Sequence, residues 1–131
     1  MALVVLIDAD PLQARLITDN LESVGHHVVW AHQVWDALLS IHRLRPDLLV
    51  VDSGVPQWNE VLKVLRKMRG LETIPVMLIA ARCPTQYELR RLAVTACMDK
   101  HFDAQQLVDS VEGILRPVPL NFGFGAIPAA T

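Results

Sequence analysis

Five short apolar runs recur along the chain, each followed by a stretch in which apolar residues return every three or four positions. This alternation limits the fold more than any other feature. Runs too brief for helices and apolar throughout read as strands buried on both faces, and parallel pairing of such strands requires the intervening amphipathic stretches as helical crossovers. Strands are expected near 2–8, 27–31, 47–51, 74–79 and 95–98, and helices near 11–24, 33–44, 57–69, 85–93 and 104–115. Five βα units of this kind form an α/β, doubly wound parallel sheet with helices on both faces.

Local chemistry marks the element ends. Asp10 caps a first helix whose first position is Pro11; Leu12, Leu16, Leu21 and Val24 read as its buried face, and Gly25 stops it. Val34, Leu38 and Ile41 mark the inward face of the second helix, and Arg45-Pro46 is expected to force extended backbone before the third strand. In the third helix Val61, Leu65 and Met68 form a stripe opposite Lys63, Arg66, Lys67 and Arg69, with Gly70 as the stop. Asp103 and Gln106 read as a capping box ahead of Leu107, Val111 and Ile114. Arg116-Pro117 ends the domain, giving a unit at 1–116 and a Pro/Gly/apolar tail or linker at 117–131.

A length of 131 residues fits one core, and 52% hydrophobic against 20% charged residues is enough to fill it. No apolar run approaches the ~20 residues that span a bilayer, so no membrane contact is expected. Met1-Ala2-Leu3-Val4 lacks a basic lead-in and a cleavage pattern, which makes the cytoplasm the expected location. Cys83 and Cys97 have neither metal-ligand nor Cys-x-x-Cys spacing and read as small core or loop thiols. A formal net charge of −2 gives no electrostatic case for nucleic acid.

Ligands gather beyond the carboxyl ends of strands in open α/β sheets, so residues there are the candidate site. Asp8 and Asp10 follow the first apolar run, Asp52 closes Leu48-Leu49-Val50-Val51, and Lys100 follows the last run. No Gly-rich phosphate loop follows the first strand, and no Gly-x-Ser-x-Gly elbow occurs. Carboxylates around one hollow attract a hard cation such as Mg²⁺, and a carboxylate held there is a nucleophile toward a phosphoryl group.

With these residues in place the chain resembles a response-regulator receiver domain of the CheY-like kind over residues 2 to about 116. The resemblance implies a flavodoxin-like strand order 2-1-3-4-5. It also implies Asp52 as phosphoacceptor, Asp8 in the acidic pair, Lys100 facing the phosphoryl group, Val55-Pro56 as the turn after the acceptor, and Pro75–Ile79 as the fourth strand. The metal positions it implies are Asp8, Asp52 and Gly54, a weakened Mg²⁺ site. Its partners would be a histidine kinase, a phosphotransfer protein or a downstream effector. Such a domain is not an enzyme beyond self-directed phosphoryl transfer at Asp52.

Departures from the family pattern fall on its switch. Ala9 stands where the second acidic ligand is found; Asp10 reads first as a helix cap, and in the conventional alternative it or water stands in for the missing ligand in the acidic pocket. Ala80 stands where a serine or threonine hydroxyl meets the phosphoryl group; hydrogen bonds to charged groups contribute roughly 1.5–3 kcal/mol. Cys97 occupies the aromatic switch position, and Lys100-His101-Phe102 replaces Lys-Pro-Phe, leaving the aim of Lys100 open because a cis bond before histidine costs about 2.5–4 kcal/mol. Glu60 takes a place that is often glycine. His26, His27, His32 and His42 form no metal pattern and read as surface or edge residues. Arg82, Arg90 and Arg91 put positive charge around the fourth helix, a candidate partner surface, and the apolar tail leaves a homodimer open. The sequence therefore reads as an atypical receiver that binds protein partners with weakened or absent phosphorylation switching. The alternatives are a conventional receiver phosphorylated on Asp52 and, further off, a small-molecule-binding or metal-dependent enzyme on the same fold.

Overall fold

The computed structural model describes residues 1–116; the apolar tail at 117–131 lies outside the described residues. The apolar runs become strands β1 (Leu3–Ile7), β2 (His27–Ala31), β3 (Leu48–Asp52), β4 (Val76–Ala80) and β5 (Ala96–Asp99). Between and after them lie helices α1 (Pro11–Ser23), α2 (Val34–Leu44), α3 (Trp58–Leu65), α4 (Gln86–Arg91) and α5 (Ala104–Leu115). All strand pairs are parallel, in the order β2-β1-β3-β4-β5. Every residue of β3 and β4 is buried, which is why these segments read as unbroken apolar runs rather than as alternation.

Alternate strand residues feed two cores. One face packs Val5, Ile7, Leu49, Val51 and Leu78 against α2, α3 and α4 through Ala37, Ile41, Leu62, Leu65 and Leu89. The other packs Val4, Leu6, Val50, Met77 and Ile79 against α1 and α5 through Ala14, Ile17, Leu21, Leu107 and Val111. A fully buried aliphatic side chain stabilises by roughly 1.5–3 kcal/mol, so this two-sided burial is the main force that holds the helices against the sheet. Among the described residues no helix is long and apolar enough to cross a membrane.

Several local expectations need correction. In α1 the inward residues are Ala14, Ile17 and Leu21, while Leu12, Leu16 and Val24 are exposed. The Asp10 cap fixes the helix phase, and with that phase positions 14, 17 and 21 share the face on the sheet. α3 ends at Leu65 rather than near 69, because Arg66 turns inward: its guanidinium donates to the carbonyls of Glu72 (2.9 Å), Ile74 (2.8 Å) and Ala93 (2.6 Å). Arg45, before Pro46, is left-handed (φ 50°) rather than extended, its N–H closing α2 on the Ile41 carbonyl. His26 is buried, not a surface residue. Its Nδ1 accepts the Ala2 N–H (3.1 Å), so Nε2 carries the proton and faces Glu112 of α5. Cys83 and Cys97 are not free thiols but a disulfide, with Cα atoms 5.9 Å apart. Their separation of 14 residues hid this, since only the fold of α4 back onto β5 brings them together.

Candidate functional site

Asp52 is the last residue of β3 and is 3% exposed. A carboxylate so enclosed must find partners or lose its charge, and each of its oxygens has one. Oδ1 accepts from the side-chain amide of Gln13 (3.2 Å), while Oδ2 accepts the Gly54 N–H (3.0 Å) and lies 3.4 Å from Lys100 Nζ. Gly54 is a steric requirement as well as a donor: a Cβ there would sit 2.8 Å from Asp52 Oδ2 and 3.5 Å from Lys100 Nζ.

Asp8 follows β1 and is fully buried. Its Oδ1 accepts the Asp10 N–H (2.9 Å) and its Oδ2 accepts from the same Gln13 amide (2.6 Å). Burial holds the Asp8 carboxyl above the ordinary carboxylate range; the bonds from Asp10 and Gln13 oppose the rise, and the charges of Asp52 and Asp10 add to it. Its carbonyl accepts the indole N–H of Trp30 (2.8 Å), whose ring stacks on His32 with centroids 4.1 Å apart.

The structure therefore brings together Asp8, Asp52 and Lys100. The backbone carries no cis peptide bond among the described residues, yet Lys100 still reaches Asp52, because its N–H continues the β4–β5 ladder onto the Ala80 carbonyl (3.0 Å). Asp10 does not join them: its side chain accepts the Leu12 N–H (3.0 Å) as the cap of α1 and is exposed. Ala9 is exposed and Ala80 is buried at the end of β4. His101 is exposed, as are Arg82, Arg90 and Arg91 around α4. Cys97 in β5 is tied to Cys83 rather than acting as an independent side chain.

Gln13 is the residue of the pocket that sequence reasoning missed. A lone polar residue in the first turn of a helix has no pattern of its own; the available signal was its place one position beyond Leu12, on the turn that faces the strand ends. Two mutually repelling carboxylates are held by its single NH₂ group, which donates to both. α4 opens on a second unforeseen device, a capping box between Thr85 and Glu88.

A buried aspartate at the end of the central strand, a second one beside it and a lysine reaching in from the last strand define an α/β signalling domain with an acidic pocket. The comparisons with known proteins give its family. The model of the response regulator receiver domain matches residues 4–112, and the chain belongs to that family. It is 32% identical over 92 residues to the transcriptional regulatory protein KdpE of Mycobacterium tuberculosis, covering 70% of this chain and 40% of the relative. Against the DNA-binding dual master transcriptional regulator RpaA of Synechocystis it is 28% identical over 120 residues, with coverage of 88% and 50%. The chain thus spans about half or less of these relatives' length. Among solved structures, the chemotaxis response regulator CheY4 of Vibrio cholerae shares its fold at a TM-score of 0.82 and 20% identity, covering 88% of this chain and 99% of that one. The Francisella response regulator 1452 receiver domain matches at a TM-score of 0.77 and 24% identity, with coverage of 88% and 97%.

Receivers generally hold Mg²⁺ at the phosphorylation site. The residues here fit the ion poorly. Ala9 supplies no side-chain oxygen, Asp10 is engaged as a cap, and the space between the remaining carboxylates is bridged by the hydrogen-bond donor Gln13. Among the described residues no three His, Cys, Asp or Glu side chains are grouped to hold a metal.

Proposed function

We propose that this receiver acts as a protein-binding signalling module of a two-component system, in the cytoplasm, with its output largely uncoupled from phosphorylation. One observation carries the reading: the acceptor pocket is closed on itself, both Asp52 oxygens being engaged by Gln13, Gly54 and Lys100 of the same chain. A phosphoryl group would have to displace the Gln13 clasp without a second acidic ligand at Ala9 and without a hydroxyl at Ala80. Moving a two-state equilibrium from 1:99 to 99:1 takes about 5.5 kcal/mol, and the missing hydroxyl alone removes roughly 1.5–3 kcal/mol of that. The exposed Arg82, Arg90 and Arg91 around α4 suit an acidic patch on a histidine kinase, phosphotransfer protein or effector, where they would speed association more than strengthen it.

A conventional receiver is the second reading, and the pairing of Lys100 with Asp52 favours it. Titration with Mg²⁺ and then beryllofluoride, followed by amide NMR shifts in wild type and Asp52→Ala, separates the two. The closed pocket predicts no saturable response up to tens of millimolar Mg²⁺, and recovery of a response in the Ala9→Asp/Ala80→Thr double variant. A saturable wild-type response that is lost in Asp52→Ala establishes the conventional switch instead.

A further inference from the structure

The Cys83–Cys97 bond joins the loop after β4 to the middle of β5, where Cys97 lies in register with Leu78. The ring it closes contains the whole of α4. That helix has 6 residues and buries Leu89 alone, with Val94 beyond it as the next buried side chain. Besides those two side chains, the segment is held by Leu92, partly buried on the same core, by the Arg66 bond to the Ala93 carbonyl, and by Thr95, which exchanges hydrogen bonds with the Val76 backbone. Low burial of this kind marks the regions of a fold that open first. Both faces of the sheet already carry extensive cores, so the bond is not a substitute for a missing interior, as it is in small secreted domains.

We infer that Cys83 and Cys97 form a redox modification site, a dithiol–disulfide couple whose state sets how firmly α4 and its exposed Tyr87, Arg90 and Arg91 are held. The inference rests on the reading of the α4 region as a partner surface. It assigns to sulfur chemistry the control that Ala80 and Cys97, at the usual switch positions, no longer provide. In the reduced chain, one cysteine thiolate attacks a small-molecule disulfide and releases a thiolate. The second cysteine thiolate then attacks the protein-bound sulfur of the mixed disulfide and expels the other half. Two electrons pass from the cysteine pair to the oxidant, and the two cysteine protons end on the two released thiols. Reduction by a small-molecule thiol runs the same steps backwards.

The test uses the full chain, reduced with reduced glutathione and reoxidised with glutathione disulfide. Free thiols are counted by the mass added by a maleimide under native conditions, and hydrogen exchange is followed in both states. The two thiols should appear and disappear together. Amides of 86–94 should exchange about tenfold or more faster in the reduced state, while those of β1 and β3 keep their rates. Cys83→Ser and Cys97→Ser should both exchange like the reduced wild type, and reversible reduction of the wild type gives the result even where a variant folds poorly. Failure of the bond to form with glutathione disulfide, its survival in excess reduced glutathione, or equal α4 exchange in the two states would each overturn the inference. The thiol count and the exchange comparison are read without beryllofluoride, so a beryllofluoride response that ends the phosphorylation-independent reading leaves this measurement intact.

Discussion

On the β1–α1–β3 side of the sheet, each carboxylate oxygen of Asp8 and Asp52 has a donor supplied by a neighbouring segment. On the β4–α4–β5 side, that end of the sheet carries a methyl group at Ala80 and a helix with one buried residue, and a covalent link runs from the loop beyond it to Cys97 in the middle of β5. The first region is held by many non-covalent bonds in a dry setting, where each unpaired polar atom is costly. In the second, β4 is fully buried but α4 rests on few contacts and on one covalent bond, which is reversible under the redox proposal. The carboxylate half of the domain is thus held by several mutually supporting bonds, whereas α4 is held by few contacts and a disulfide.

Arg66→Ala should break the weakly held region most severely, since one guanidinium joins the end of α3 to carbonyls before β4 and after α4. A loss of about 3 kcal/mol in urea unfolding is expected, together with faster exchange around Ala93. Gly54→Ala attacks the other region by placing a methyl 2.8 Å from Asp52 Oδ2. The carboxylate or the loop must shift, at a cost of about 2 kcal/mol, with loss of the Lys100 pairing visible in the lysine NMR shifts.

Gln13→Ala should cost about 1 kcal/mol at neutral pH, because two buried carboxylates lose a shared donor; thermal melts would show it. The smallest effect concerns Asp8, whose carboxyl binds its proton more tightly in the folded chain than in the unfolded one. Stability conferred by that proton is lost as pH rises from the ordinary carboxylate value through the higher folded one. Asp8→Asn should therefore gain on wild type as pH rises toward neutrality, and the difference should vanish on acidification. Melts across pH that show a constant offset would refute this.

Much of this architecture is legible in the residues themselves. The β2 and α5 bounds expected from periodicity, 27–31 and 104–115, are those observed, and the Asp103–Gln106 capping box is present. Such features depend on neighbours a few positions apart. On α1 the leucine content points to Leu12 and Leu16, whereas the cap sets the phase that buries Ala14 and Ile17 beside the expected Leu21. At the site, Asp8, Asp52 and Lys100 could be placed because strand ends converge. Gln13, the His26–Glu112 pair and the disulfide could not, since each depends on a contact made by the finished fold: 39 residues separate Gln13 from Asp52, and 86 separate His26 from Glu112.

The indole of Trp30 carries a consequence of its own. Its N–H is bonded to the carbonyl of Asp8, so the ring on β2 is coupled to the turn that positions one wall of the acidic pocket. Any rearrangement of that turn changes the polarity felt by the excited ring. The Trp30 component of the fluorescence is therefore expected to shift when the Asp8 turn rearranges and to stay still when only α4 is loosened.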